Sequence, residues 1–263
     1  EQFLQIAQPY LQSGRIQGIR VSTRPDYISE EKLDLLNAFG VTTIELGAQS
    51  LDEEVLRISK RGHTIADVEK AASLIRSFGF SLGLQMMTGL PGDTLEKTLM
   101  TARRIVELGA DNTRIYPALV IKNTELEDLY RAGLYTPLTI EEAVDRVKQV
   151  IPIFEKAEIT ILRIGLHPSE GLLNGDDLVA GPFHPSFREL AESALWSDLF
   201  KPLLELPSCQ VLEIAVPSGQ RNMAIGYNAA NRKQLELRHK KVKVVEDVDL
   251  RNHNFVLSAN SMQ

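Results

Sequence analysis

Apolar runs and amphipathic stretches alternate along the first 200 residues of the chain. Ser29, Thr64 and Thr94 each precede a run of residues with helical periodicity, and each is a good N-cap. The apolar runs between the predicted helices have the composition of buried strands, and they lie at 16–23, 41–47, 81–87, 113–121 and 159–166. Strict alternation of this kind predicts an α/β fold with parallel strands, either as an open doubly wound sheet or as a barrel. The spacing of the units suits a barrel or partial barrel.

The stretch SLGLQMMTGLPGDT, residues 81–94, is the clearest strand–turn–helix unit. Its apolar run breaks at Gly89, passes through a turn, and restarts at Thr94 as a helix. In a parallel sheet such a turn lies at the C-terminal ends of the strands, where ligands bind. Gln85 lies inside the apolar run and needs a hydrogen-bond partner there. We therefore expect Gln85 to contact a ligand, the alternative being a core glutamine satisfied by another side chain.

Polar side chains recur at the predicted C-terminal end of every strand, which predicts a shared polar mouth. A further basic segment, 60–64 (KRGHT), precedes a helix and suits a carboxylate or phosphate, or else is a solvated turn. The polar strand ends are 22–26 (STRPD), Glu45 with Gln49 and Ser50, Gln85 with 89–92, Tyr116, and Arg163 with 167–170 (HPSE).

Composition narrows the class of protein. The 263 residues are 43% hydrophobic, which is ample for a core, and no apolar run is long enough to cross a bilayer. We expect a cytoplasmic protein without a membrane partner.

The net charge is −6, yet residues 201–263 carry nine Lys/Arg against six Asp/Glu, as in an acidic body with a basic tail. Cys209 is the only cysteine, so this sequence contains no thiol set for a zinc ion or an iron–sulfur cluster.

Four motifs in order carry a family resemblance: STRPDYI, IELGAQSLDEEVLRISKRGHT, LGLQMMTGLPGDT and RIYPALVIKNTELEDLYRAGLY. They resemble the radical S-adenosylmethionine (radical SAM) enzymes, in the branch of the Elongator catalytic subunit and oxygen-independent coproporphyrinogen III oxidase. The resemblance implies a partial TIM-like (βα)6 barrel over residues 1–200. It also implies S-adenosylmethionine (SAM) and a 4Fe-4S cluster that, with an external electron donor, generate a 5′-deoxyadenosyl radical. The family's CxxxCxxC cluster loop is absent from this sequence, so we expect its ligands upstream of Glu1 and the chain to be a fragment.

The resemblance also implies roles for residues of the polar mouth. Arg61 corresponds to an arginine that pairs with the methionyl carboxylate of SAM, and Gln49 and Gln85 to residues that bind its ribose or methionyl part. Ser22 corresponds to a position that is often acidic in relatives. The residues implied to line the adenine ring of SAM are Gly89, Leu90, Pro91 and Gly92. The catalytic candidates, implied to face the substrate, are Tyr116, Arg163 and His167.

Residues 203–263 resemble a KH-type nucleic-acid module, in which an Ile-Gly-x-x-Gly loop binds the phosphate backbone. The loop here is 225–229 (IGYNA), in which Ala229 replaces the second glycine. The candidate RNA contacts are Gly226, Tyr227, Asn228, Arg232 and Lys233. The alternative is a degenerate module that only packs on the barrel.

Together these features predict the C-terminal portion of a radical SAM enzyme that acts on an RNA base, a nucleoside or a related metabolite. Two alternatives stay open. One is an RNA-binding protein built on a catalytically inactive barrel, and the other is a cluster-independent barrel lyase or transferase. The RNA-binding alternative is favoured if the protein binds RNA and does not bind SAM, whereas both enzyme hypotheses require SAM or another ligand at the polar mouth. The segment 181–185 (GPFHP) is expected to be either a substrate loop or a rigid connection between barrel and tail.

Overall fold

The computed structural model describes residues 1–257, which form ten strands and eleven α-helices. The strands are β1 (Ile19–Thr23), β2 (Val41–Gln49), β3 (Ser81–Thr88), β4 (Asn112–Pro117), β5 (Val120–Ile121), β6 (Thr160–Ile164), β7 (Leu178–Ala180), β8 (Leu212–Pro217), β9 (Val242–Asp247) and β10 (Val256–Leu257). The helices are α1 (Gln2–Gln12), α2 (Glu30–Ala38), α3 (Glu53–Ile58), α4 (Ile65–Ser77), α5 (Leu95–Glu107), α6 (Glu125–Arg131), α7 (Ile140–Lys156), α8 (Glu170–Leu173), α9 (Phe187–Phe200), α10 (Arg221–Ile225) and α11 (Ala230–Glu236).

The main sheet has five parallel strands in the order β1-β2-β3-β4-β6. Its strands alternate with helices along the chain, which confirms the predicted α/β class. Within residues 1–257 the sheet does not close, so β1 and β6 are its two edges. The C-terminal ends of all five strands therefore meet at one rim, where the predicted polar residues lie.

Helix starts follow the predicted caps. The side chain of Ser29 accepts a hydrogen bond from the Lys32 amide at the start of α2. At α4 the predicted cap, Thr64, forms a reciprocal capping box with Asp67, and Thr139 forms another at α7. Each cap satisfies an amide that the helix itself leaves without an acceptor, which is why a short local pattern sets these boundaries.

One predicted strand is wrong in extent. The single strand predicted over 113–121 breaks after Pro117, because proline has no amide hydrogen with which to continue a ladder. Instead β5 pairs antiparallel with β7, which anchors the chain just before 181–185 and favours the rigid-connection alternative for that segment. In the tail, α10 and α11 are separated by the loop predicted at 225–229, where Gly226 has φ 89°.

Two main hydrophobic clusters, and a minor third one formed by Val55, Leu90 and Ala118, stabilise the structure. The larger buries one face of the main sheet, including Ile44, Leu46, Leu82 and Leu84, under the surrounding helices. The smaller one joins Trp196 and other residues of α9 to β8, β9 and α11. Strand β8 pairs parallel with β9 and antiparallel with β10. Helix α9 thus contributes to both clusters and connects the tail to the sheet.

Candidate functional site

The face of the main sheet opposite the large core is polar. Side chains alternate along a strand, so the residues between the buried leucines and isoleucines point away from the helices. On this inner face lie Arg20 of β1, Glu45 and Gly47 of β2, Gly83 and Gln85 of β3, and Asn112, Arg114 and Tyr116 of β4. The register shifts between Leu46 and Gln49, and the Gln49 side chain reaches the same face through its hydrogen bond with Gln85.

A buried carboxylate organises the middle of the inner face. Arg20 Nη1 donates to Glu45 Oε2 and to Asn112 Oδ1, each at 2.9 Å. Arg114 Nε lies 3.2 Å from the same Glu45 oxygen. The Glu45 side chain is 3% exposed, and each arginine side chain is 31% exposed. A Cβ at Gly83 would lie 2.7 Å from Asn112 Oδ1, so the cluster requires glycine there.

The two predicted SAM-binding glutamines meet at the C-terminal rim. Gln85 Nε2 donates to Gln49 Oε1 at 3.1 Å, which supplies the partner that Gln85 was expected to need. Gln49 is buried and has φ 65°, a left-handed conformation that costs a non-glycine residue energy. Such strain recurs at ligand sites because the surrounding structure fixes a side chain in a useful direction.

Arg61 lies half-buried in the loop between α3 and α4. That loop is fixed to the rim at two points: Arg24 Nη2 donates to the Gly62 carbonyl at 3.0 Å, and His63 Nε2 lies 3.2 Å from the Ala48 carbonyl oxygen. The buried Nε of Arg61 has no hydrogen-bond acceptor among residues 1–257. Burial, and secondly the neighbouring Arg24, lower the pKa of Arg61. A bound anion would relieve both effects.

The turn after β3 is held by one buried carboxylate. Asp93 Oδ2 accepts hydrogen bonds from the Gly89 amide at 2.7 Å, from Thr98 Oγ1 at 2.8 Å and from Arg146 Nη1 at 2.9 Å. Tyr135 donates its hydroxyl to the Gly89 carbonyl at 2.6 Å. Burial, with a smaller effect of Asp93, raises the pKa of Tyr135 to about 12, so the phenol stays a donor at neutral pH.

A cavity of about 220 Å³ brings Arg61 and this turn together. Leu90 and Pro91 line it, and so does Met87 at the end of β3. Gly92 belongs to the same turn, and its φ of 79° is in the left-handed region that favours glycine. Four predicted cofactor residues thus surround or adjoin one partly apolar cavity.

The remaining predicted mouth residues lie along the inner face and its edges. Ser22 is exposed on the edge strand β1, opposite Glu45 in register. Arg114 Nη1 donates to the Tyr116 hydroxyl at 3.5 Å. Arg163 Nη1 donates to His167 Nδ1 at 3.4 Å, beyond the end of β6.

The predicted loop of the tail packs against α9. The Tyr227 amide donates to Ser193 Oγ at 3.0 Å, and the Tyr227 ring meets the His184 ring edge-on with centroids 5.6 Å apart. Asn228 follows with φ 53°. Arg232 lies 4.0 Å from Glu236, and Lys233 is exposed. The RNA contacts proposed for these residues stay predictions.

Sequence reasoning missed Arg20, Arg114, Asn112 and Arg146. The signal for the first three was a charged or amide side chain at alternate positions of otherwise apolar strands, which indicates a buried polar face. Arg146 gave no signal, because its partner Asp93 lies 53 residues earlier in the chain.

Residues 1–257 include no group of three or more His, Cys, Asp or Glu side chains that could hold a metal ion. The single cysteine of the sequence, Cys209, lies in the tail with its Sγ 3.3 Å from His239 Nδ1. The residues of this chain therefore do not fit a 4Fe-4S cluster, which takes its ligands from several thiolates. In the same described part of the chain, no helix is long and apolar enough to cross a membrane.

Two family models match adjacent parts of the chain. The model described as the Radical SAM superfamily matches residues 2–105, and the Radical_SAM C-terminal domain matches residues 110–197.

Curated relatives agree with these matches. The tRNA uridine(34) acetyltransferase of Methanocaldococcus infernus is 34% identical over 139 residues, which are 52% of this chain and 26% of that protein. The Elongator complex protein 3 of Homo sapiens is 35% identical over 141 residues, 51% of this chain and 26% of that protein. The match thus spans about a quarter of the length of these relatives.

A solved structure gives the same result in three dimensions. The archaeal Methanocaldococcus infernus Elp3 with an N-terminal deletion superposes with a TM-score of 0.64 and 29% identity, over 70% of this chain and 42% of that chain. The adjoining family matches, the relatives and the shared parallel fold lead to one conclusion: the chain belongs to the radical SAM superfamily.

Proposed function

We propose that this chain is the SAM-binding and substrate-facing portion of a radical SAM enzyme that acts on an RNA base, a nucleoside or a related metabolite. The names of its relatives, a tRNA uridine(34) acetyltransferase and an Elongator subunit, support RNA as the substrate class. The observation that carries the SAM assignment is Arg61, a half-buried guanidinium whose Nε has no acceptor within residues 1–257.

The residues predicted to bind SAM have the chemistry that its parts require. A guanidinium forms a two-point contact with a carboxylate, which the methionyl group supplies. The amide groups of Gln49 and Gln85 offer a donor and an acceptor to ribose hydroxyls or to the methionyl amine. Leu90 and Pro91 form an apolar wall suited to the adenine ring. Ser22 is placed at the edge, where its hydroxyl would contact the ribose only if the ligand extends toward β1.

When bound in this family, a 4Fe-4S cluster supplies the electron that cleaves SAM. One cysteine does not fit such a cluster, so we propose that the thiolate ligands and the electron donor come from outside this sequence. In this proposal, residues 1–257 bind SAM, orient it along the inner face of the main sheet and exclude water from it. Tyr116, Arg163 and His167 face the substrate in this proposal.

For the tail, residues 203–263, we propose RNA binding by a KH-like module in the cytoplasm. The basic residues of α11 support this, since Lys233 is exposed and Arg232 is only weakly paired, 4.0 Å from Glu236. Because the Tyr227 amide already donates to Ser193 and the Gly226 carbonyl accepts from the Ala229 amide, the loop 226–228 would contact RNA through the Asn228 side chain.

The test is direct binding of radiolabelled SAM to the full chain by equilibrium dialysis. Arg61→Ala should weaken binding about tenfold or more, because it removes a charge-assisted contact. Arg57→Ala, which removes an exposed cation from the preceding helix, is the matched control and should bind like the wild type. The proposal fails if SAM does not bind, or if both variants behave alike. RNA binding without SAM binding would favour the inactive-barrel alternative.

A further inference from the structure

Two arginines lie directly opposite each other on neighbouring strands of the inner face. The register pairs Arg114 of β4 with Arg163 of β6, and the next pair is Ile115 with Ile164 in the core. One step earlier the register shifts, because β6 has an extra residue, Leu162, between its partners. This bulge leaves Leu162 38% exposed and brings Arg163 onto the polar face.

Like charges at directly opposed positions destabilise a sheet unless an anion neutralises them. The carboxylate of this face, Glu45, is already shared between Arg20 and Arg114. Arg163 forms no ion pair within residues 1–257, and its Nη1 donates its hydrogen bond to His167 Nδ1. Arg20, Arg114 and Arg163 together therefore carry two positive charges more than Glu45 compensates.

An aromatic ring lies beside the arginine pair. Tyr116 is two residues beyond Arg114 on β4, so both side chains point to the inner face. Its hydroxyl accepts a hydrogen bond from Arg114 Nη1 at 3.5 Å, and the ring is half-buried. A ring next to unneutralised guanidiniums is the combination with which proteins hold a nucleotide, because the ring stacks on the base and the cations bind the phosphate.

We infer that Arg114, Arg163 and Tyr116 form a nucleotide subsite, in which the two guanidiniums bind a phosphate of the substrate and the Tyr116 ring contacts its base. This inference rests on the proposed function and specifies how that site takes its substrate. Glu45 is a positioning residue, since its buried carboxylate forms an ion pair with Arg114 at 3.2 Å from Nε, although that Nε has no hydrogen-bond acceptor within residues 1–257. His167 similarly positions Arg163.

The phosphate comes from a free nucleotide or from an RNA strand, and both present the same chemistry to the arginines. Equilibrium dialysis of the full chain with nucleoside 5′-monophosphates, with the matching nucleosides and with a short single-stranded oligoribonucleotide separates the two. Monophosphates should bind at least about tenfold more tightly than nucleosides, because only the monophosphates carry a phosphate that the arginine pair can bind. If the subsite takes RNA, the oligoribonucleotide binds more tightly still.

Variants locate the contacts. Arg163→Gln should remove most of the preference for monophosphate over nucleoside, whereas Tyr116→Leu should weaken both ligands by a similar factor. Arg103→Gln removes an exposed cation from the outer side of α5 and should change neither. Circular dichroism of each variant establishes that it is folded.

Three results would overturn the subsite: equal binding of monophosphate and nucleoside, no binding of either, or an Arg163→Gln variant that keeps the wild-type preference. SAM dialysis on the same samples separates this failure from failure of the proposed function. A chain that binds SAM through Arg61 but shows no preference for the monophosphate disproves only the nucleotide subsite.

Discussion

Arg146 on α7 donates to Oδ2 of Asp93 at 2.9 Å and so connects the β3–α5 turn to a helix 53 residues further along the chain. Their side chains are only 14% and 4% exposed. The carboxylate also holds the Gly89 amide, so the ion pair fixes the turn that lines the proposed SAM cavity.

Removing the arginine alone should therefore destabilise the protein strongly. Arg146→Met leaves the buried Asp93 charge without its cation, and we expect the free energy of unfolding to fall by about 3–5 kcal/mol in urea titrations. Arg103→Met, at an exposed position of α5, should change it by less than about 0.5 kcal/mol. Equal effects of the two substitutions would contradict the structural role assigned to the pair.

Tyr135 should make the stability of this turn depend on alkaline pH. Tyr135→Phe removes the hydrogen bond to the Gly89 carbonyl and should cost about 1 kcal/mol at neutral pH. The folded state raises the pKa of Tyr135 to about 12, above the unfolded value of about 10. The stabilisation is thus complete below about pH 10 and is lost as pH rises through about 12.

The measurement is the difference in unfolding free energy between wild type and Tyr135→Phe from pH 7 to the alkaline limit. It should be constant below about pH 10 and decline above it. Tyr130→Phe, at a tyrosine that is 37% exposed, is the control and should show no such decline. A difference in unfolding free energy that grows with pH would contradict the predicted loss of this stabilisation at alkaline pH.

Gly47 should control the position of the Gln49 amide. A Cβ at residue 47 would lie 2.6 Å from Gln49 Nε2, which is the far end of a flexible side chain. Gly47→Ala should therefore fold while displacing that amide, and SAM affinity should fall by about tenfold in dialysis. Thr42→Ala, at an exposed position near the start of the same strand, should leave SAM affinity unchanged. If Gly47→Ala binds SAM with wild-type affinity, Gln49 does not contact SAM.

Iron and sulfide should not assemble a cluster on this chain. Anaerobic reconstitution of the chain should yield neither a cluster absorption band nor stoichiometric acid-labile sulfide, because one cysteine cannot provide the thiolate ligands. Cys209→Ala should behave identically, since Cys209 contacts His239 in the tail and not the inner face. A stoichiometric cluster that Cys209→Ala abolishes would contradict this prediction.

The proposed RNA surface of α11 should show its charge in the salt dependence of binding. Replacing Arg232 and Lys233 by glutamine should weaken binding of a single-stranded oligoribonucleotide and reduce the slope of log K against log salt by about 1.4, for two lost phosphate contacts. The control replaces Lys70 and Arg103, which are exposed on α4 and α5, and should leave the slope unchanged. Equal slopes in both double variants would exclude α11 from the RNA surface.

Local patterns in the sequence determined the secondary structure and the fold class. The caps at Ser29, Thr64 and Thr94 act through hydrogen bonds to amides within three residues, so a short window of sequence contains both partners. The alternation of strands and helices predicts parallel pairing, because parallel strands require a crossover. The motifs also predicted Arg61, Gln49 and Gln85 as SAM-binding residues, and the two glutamines are hydrogen-bonded to each other at the rim.

Only the tertiary structure decided which polar groups meet. The bulge at Leu162 brings Arg163 opposite Arg114, and a register one residue different would turn Arg163 to the other face. Likewise, Arg20 reaches Asn112 across 92 residues. Register and long-range ion pairs depend on how the whole sheet and its helices pack together, and no local stretch of sequence contains both partners. The sequence alone therefore determined the elements and the family, whereas packing determined the buried charge network and the arginine pair.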